Sequence, residues 1–359
     1  MHRRALFALA ASSLATLMYY PALADEYRVS GPVVHENLAI YLVHGKSAPG
    51  PVPLTLEEAL AKGAVKVHET GNVNQLQIEN LGGGEVFVQS GDIVKGGQQD
   101  RVLTVSLLLP QKSGRIPIAS FCVEQGRWAA RGKEDVKTFA TASASVPSRE
   151  AKLAFRTPAV AAAAPVAAID PASSFDRGRI RTYARDTAAS PQQQVWAKVR
   201  KVQDGLSANL GTTVNAAASQ TSLQLALEHE KLKDAQAAYL SVLKATGEKD
   251  NDVVGYVFAV NGKLNSAEIY PSNGLFRKMW GKLLQASITE AISHQNGDKE
   301  PTPAGEIALA FLTDAAKGKA TERPLPAQVQ LEVRDADKAF YFETRRASGA
   351  FVHRSYLAK

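Results

Sequence analysis

Two polar clusters hold the residue types best suited to chemistry. The first is Gly96-Gly97-Gln98-Gln99-Asp100-Arg101, and the second is Cys122-Val123-Glu124-Gln125-Gly126-Arg127-Trp128. Arg101 and Arg127 can each present a planar fork to a phosphate or carboxylate. The amides of Gly96, Gly97 and Gly126 can add donors with no side chain in the way. Gln99 and Gln125, with Gln98 beside them, offer donors and acceptors that suit a base or ribose edge. Trp128 can stack on such a base. Asp100 and Glu124 are the candidate catalytic groups, since a carboxylate here can activate water for hydrolysis.

The same carboxylates support a different outcome. If Arg101 pairs with Glu124 and Arg127 with Asp100, the clusters form a buried network that locks the local fold. Three readings therefore stand open. The clusters form a pocket for a small anionic, nucleotide- or ADP-ribose-like ligand, or a hydrolase site using Glu124 or Asp100, or a salt-link network in a non-catalytic envelope protein.

Other chemistries fit less well. Cys122 to Arg127 has the length of a rhodanese-type loop, but Glu124 sits inside it and Trp128-Ala129-Ala130 is a poor helix start, so a buried cysteine on a strand end is expected. The seven histidines (His2, His35, His44, His68, His229, His294 and His353) show no metal-ligand spacing, so neither a metal site nor a cofactor is expected. Asn80-Leu81-Gly82-Gly83-Gly84 is not followed by a helix, which favours a hairpin loop over a phosphate cradle.

The elements that must position these groups are mixed. Val102 to Pro110 and Ile116 to Phe121 read as strands joined by the turn Gln111 to Arg115, which would gather the polar clusters at one edge. Strands are also expected at Leu38–Val43, Val65–Glu69 and Val73–Glu79, with a capped helix from Thr55 to Gly63. Thr141 to Ser174 is rich in Ala, Pro, Ser and Thr and reads as a mobile connection, closed by Arg177, Arg179, Arg181 and Arg185. Helical spacing follows in Gln192–Leu206, Leu223–Ala245 and Ser272–His294, with a hairpin turn at Asn261-Gly262 and alternating strands from Gln328 to Tyr356. The order fits an α+β fold, with mainly antiparallel sheet and packed amphipathic helices in a single large domain. The expected parts are a signal peptide at 1–24, a β-rich part at 25–140 carrying both clusters, a flexible insertion at 141–176, and a helical then β part at 177–359 folded onto the first.

Arg3 and Arg4, the apolar run to Tyr20 and the small-x-small Ala22-Leu23-Ala24 read as a secretory leader cleaved after Ala24, placing the protein in a periplasm or outside the cell. No later run reaches the roughly 18 apolar residues of a spanning helix, so stable membrane insertion is not expected. The formal charge of +7 over 359 residues is modest and disfavours a nucleic-acid partner. Cys122 is the sole cysteine, so no intramolecular disulfide can form.

Several stretches resemble those of a known family, the ARG and rhodanese-phosphatase-superfamily-associated protein domain. They are Leu54–Leu60, Gly96–Val102, Cys122–Trp128, Gln194-Val195-Trp196, Gly255–Gly262 and Val352–Ser355, in the expected order. The resemblance implies association with ADP-ribosylglycohydrolase and rhodanese-phosphatase proteins, and through it a link to ADP-ribose or nucleotide chemistry, without assigning an activity. The Ala/Pro-rich stretch and the leader depart from the family pattern.

Overall fold

The computed structural model describes residues 26–156 and 189–359. The expected leader, the four-arginine cluster and much of the Ala/Pro-rich stretch lie outside the described residues. Among those described, the chain forms a mainly antiparallel α+β fold with seventeen strands and seven α-helices.

One eight-stranded antiparallel sheet joins the two halves of the chain. Its spatial order is β1 (Arg28–His35), β2 (Leu38–His44), β12 (Val253–Val260), β13 (Lys263–Ile269), β17 (Phe351–Ala358), β16 (Ala339–Arg346), β15 (Val329–Asp335) and β14 (Lys319–Leu325). The junction is the β2–β12 ladder, where Ile40 faces Phe258 and Leu42 faces Tyr256. Both strands are buried along their whole length, so their near-continuous apolar runs need cover on two faces. A six-stranded sheet runs β11 (Phe139–Ser145), β7 (Asp92–Gly96), β8 (Arg101–Leu103), β10 (Gly114–Cys122), β5 (Gln75–Asn80) and β4 (Val65–Asn72). A third, small sheet holds β3 (Leu54–Thr55), β6 (Val86–Val88) and β9 (Leu107–Leu109).

The helices are α1 (Leu56–Ala61), α2 (Arg149–Arg156), α3 (Pro191–Leu210), α4 (Leu223–Leu227), α5 (Glu230–Leu243), α6 (Asn273–Ser293) and α7 (Gly305–Ala315). Thr55 and Glu58 form the expected capping box on α1, and Ser190 with Gln193 forms one on α3. The long helix α6 buries Phe276, Met279, Trp280 and Leu283 against one face of the large sheet. The other face packs Tyr41, Tyr341 and Tyr356 with Ala308 and Leu312 of α7. A separate apolar cluster joins the smaller sheets to the far end of the large one, through Leu325, Leu331, Val333 and Phe342.

Four expectations change. The run Val102 to Phe121 is not one hairpin: the chain leaves the six-stranded sheet at Thr104 to Ser106, β9 enters the small sheet, and β10 returns to pair with β8 and β5. The Gly82–Gly84 link is no hairpin either, because β5 and β6 belong to different sheets. Leu223 to Ala245 is broken at Glu228 and His229, where His229 turns extended while Lys95 and Gln224 hold the Glu228 carboxylate. The expected flexible insertion from 141 does not begin there, since Phe139–Ser145 is a strand and Arg149–Arg156 a helix. Its small residues serve packing: Ala142 is fully buried and its carbonyl accepts from Lys282 of α6 at 3.2 Å.

Lys282 also donates to Asp92 at 2.6 Å, and both side chains are almost wholly buried. That pair fastens α6 to the six-stranded sheet. Lys282→Met leaves Asp92 buried without a counter-charge and is expected to cost about 3–5 kcal/mol in urea unfolding. A loss under about 1 kcal/mol would show that the pair does not fasten the two layers.

Candidate functional site

The two polar clusters do meet. Cys122 faces Arg101 across the β8–β10 ladder, which brings the ends of both clusters together. Asp100 and Glu124 are fully buried at the meeting point. Asp100 Oδ1 accepts from the Gly96 amide at 3.0 Å and from Arg131 at 3.0 Å; Oδ2 accepts from Arg131 at 2.9 Å and Ser222 at 2.7 Å. Glu124 Oε1 accepts from Arg127 at 2.7 Å, and Oε2 accepts from the Asp100 amide at 2.9 Å. Every oxygen of both carboxylates is therefore engaged. Burial alone would raise the Glu124 carboxyl, but bonds from Arg127, Ser219 and the Asp100 amide hold it below the ordinary carboxylate range.

The arginines are committed too, apart from the buried Nε of Arg101, which has no hydrogen-bond partner among the described residues. Arg127 donates to Glu124, to the carbonyls of Gly96 and Gly97, and to Ala129, and lies 3.6 Å from Asp100. Arg101 is fully buried and pairs with Glu69 at 3.2 Å rather than with Glu124. It also donates to the carbonyl and side chain of Gln99, while its charged carbon sits 5.7 Å from the Trp128 ring centre. The Gly96 amide serves Asp100, and the Gly97 amide serves the carbonyls of Asp135 and Thr138. Gly97 adopts φ +57°, and an added Cβ would lie 2.5 Å from the Phe139 ring, so only glycine fits.

The remaining cluster residues scatter around this centre. Gln98 is partly buried, and its amide donates to Glu69 at 3.3 Å. Gln125 is exposed and bonded to Arg200 and Thr221. Gly126 and Trp128 are exposed, Trp128 by 49%. Cys122 is buried, and burial pushes its thiol up to about 11, as an inert strand-end cysteine requires. Two members escaped the sequence analysis. Glu69 lies on a strand far along the chain, and Arg131 follows a loop with no regular pattern to flag it.

A cavity of about 370 Å³ lies elsewhere, between the six-stranded sheet and the β14–β17 end of the large sheet. That volume is within the range of small-molecule sites. None of Gln98 to Arg101 or Glu124 to Trp128 lines it. Its walls include Phe121, Phe155 and Phe342, the loop residues Thr104 and Ser106, and Arg156, Arg323 and His353. Among the described residues, no aspartate or glutamate lines it. Arg156 ends helix α2, is 6% exposed, donates to Ser355 at 2.8 Å, and stacks 4.0 Å above the Phe342 ring. Burial lowers the Arg156 guanidinium to about 10, with Glu268 opposing, so it remains charged at neutral pH.

Among the described residues, one histidine–carboxylate group gathers within ligating reach, His44 with Asp250 and Asp252. Both His44 ring nitrogens already bond, to Asp252 at 2.8 Å and Ser30 at 2.7 Å. No helix among the described residues is long and apolar enough to cross a membrane.

The three-sheet α+β fold and its buried arginine–carboxylate motif define a class that sequence comparison identifies directly. The family model for the ARG and Rhodanese-Phosphatase-superfamily-associated Protein domain matches residues 26–357, and the chain belongs to that family. No curated protein and no solved structure matches the chain.

Arg131→Ala removes donors from Asp100 and leaves buried charge, with an expected cost of about 3–5 kcal/mol in urea unfolding. Because the folded Glu124 pKa is depressed, its stabilisation is present above the unfolded value of about 4.3 and is lost as pH falls through the folded value. Unfolding free energy should therefore drop below about pH 4, and Glu124→Gln should flatten that drop. An equal acid slope in both proteins would contradict the assignment.

Proposed function

We propose that this is an exported protein whose cavity, not its motif, binds a small anionic metabolite of nucleotide or ADP-ribose type. The observation that carries this reading is the charge of the cavity wall. Among the described residues, a buried arginine, a second arginine and a histidine line it, and no carboxylate does. Among the described residues, Arg156 donates one hydrogen bond, to Ser355, and no carboxylate lies within ion-pair distance of it. A phosphate or carboxylate entering the cavity would supply the partner it lacks. The phenyl rings of Phe121, Phe155 and Phe342 suit an apolar or planar body beside the anion.

The motif takes the role of a lock in this reading. Arg127 and the terminal nitrogens of Arg101 donate within the protein, leaving only the buried Arg101 Nε without a hydrogen-bond partner among the described residues, so an incoming anion would have to displace Glu69, Glu124 or backbone carbonyls. Asp100 and Glu124 are poor candidates for a hydrolytic base for the same reason, since each oxygen already accepts. Export rests on the Arg3-Arg4 start, the apolar run and Ala22-Leu23-Ala24. The nucleotide class rests on the family's name, which ties it to ADP-ribosylglycohydrolases.

A thermal-shift comparison of residues 25–359 with ADP-ribose, AMP and inorganic phosphate tests the binding. Ligand at about 100 times its Kd adds about 2.7 kcal/mol, or roughly 4 °C in a chain of this size. The shift should vanish in a folded Arg156→Gln protein and persist in a folded Gln125→Ala protein. A shift that survives Arg156→Gln, or none with any of the three anions, would overturn the reading.

A further inference from the structure

The cavity also holds a serine and a histidine in contact, and behind them the buried acid Glu268. Ser106 sits on the loop between β8 and β9, and His353 sits on β17; both line the cavity. Ser106 Oγ lies 2.9 Å from His353 Nδ1, although the residues are 247 apart in sequence. His353 Nε2 lies 3.0 Å from Glu268 Oε2, close enough for an ion pair, though not aligned for a hydrogen bond. Glu268 and His353 are 1% and 2% exposed.

We propose that Ser106, His353 and Glu268 form a nucleophile, base and orienting acid that hydrolyse a small carboxylic ester bearing a separate anionic group. The inference rests on the reading of the cavity as an anion site, and adds the reaction done there. Three features support it. The contacts fit one histidine tautomer, with the proton on Nε2 facing Glu268 and the Nδ1 lone pair facing the serine hydroxyl. The ring is held in place by Tyr270 and Phe87, whose centroids lie 5.0 and 5.6 Å away. Glu268 is kept ionised: burial would raise it, but His353, Lys152 and Arg156 outweigh that and lower it. The acid–histidine contact is loose, as such contacts often are before substrate binds.

The step balances within these groups. Ser106 Oγ attacks the ester carbonyl carbon while its proton passes to His353 Nδ1. The carbon–oxygen bond to the alcohol then breaks, and the alcohol leaves with the proton from His353. Water attacks the resulting acyl-serine, giving its proton to His353, and the acid departs as serine regains its hydrogen. Glu268 does not take the proton; it holds the ring and stabilises the imidazolium. Arg156 would anchor the separate anionic group of the substrate. The Ser90 amide donates to Ser106 Oγ at 3.0 Å and fixes the hydroxyl's position.

A biotinylated alkyl fluorophosphonate tests the assignment, because it captures an activated serine by forming a phosphorus–oxygen bond as fluoride leaves. Peptide mass spectrometry of labelled residues 25–359 should place the adduct on Ser106. Ser106→Ala should remove it, and a folded His353→Gln protein should label about 100-fold more slowly. Folded wild-type protein with no adduct on Ser106, or a His353→Gln protein that labels at the same rate, would overturn the proposal. Running the ADP-ribose thermal shift on the same wild-type sample separates the two claims. A shift without labelling removes the esterase and keeps the binding site; labelling without a shift for any anion removes the anion site.

Discussion

The Asp100 carboxylate is the interaction on which the surrounding architecture depends. Its two oxygens accept from the Gly96 amide, both terminal nitrogens of Arg131 and the Ser222 hydroxyl. Those donors come from three places: the last residue of β7, the loop after β10, and the residue that caps α4. Ser222 also accepts from the Leu225 amide, so one hydroxyl caps the helix and ties it to the acid. A fully buried carboxylate is tolerable only when such bonds replace its lost hydration. The geometry of β8, β10 and α4 is therefore set around one charge.

The lock reaches the cavity through β10. Gln192, near the start of α3, clasps the Cys122 backbone from both sides, accepting from its amide at 3.0 Å and donating to its carbonyl at 2.9 Å. Gln192 and Pro117 to Phe121 of the same strand line the cavity. A strand held at its Cys122 end by the arginine–carboxylate network thus supplies one cavity wall, and helix α3 is pinned to it. In the proposed reading, positioning and binding are separate tasks given to separate residues. The motif that looks most like chemistry supplies rigidity, while quieter residues from β16, β17, α2 and the β8–β9 loop supply the cavity.

What the sequence disclosed follows from the range of each interaction. The α1 capping box was legible because Thr55 and Glu58 lie within one turn of each other. The Asn261-Gly262 turn was legible for the same reason, as φ values of +52° and +80° suit that pair. The α+β class and mainly antiparallel pairing followed from alternating apolar patterns. The partners of the motif were harder. Arg101 was matched to Glu124 on adjacency, whereas Glu69 reaches it from the middle of β4. Arg131 had no periodic context. The strand at Phe139–Ser145 was hidden by residues too small to resemble a core, and helix α7 and strand β14 carried no expectation at all. The Ser106–His353 contact spans most of the chain, and although His353 lies in one of the family-like stretches, nothing in the sequence ties it to Ser106.

The claim that matters most is where an anion binds. Crystals soaked in sodium tungstate and measured at the tungsten absorption edge would answer it directly, because an anomalous peak marks the bound oxyanion. The account expects a peak inside the cavity, within hydrogen-bond reach of the Arg156 guanidinium. A peak at Arg101 or Arg127 with the cavity empty would contradict it, and would return the anion site to the motif.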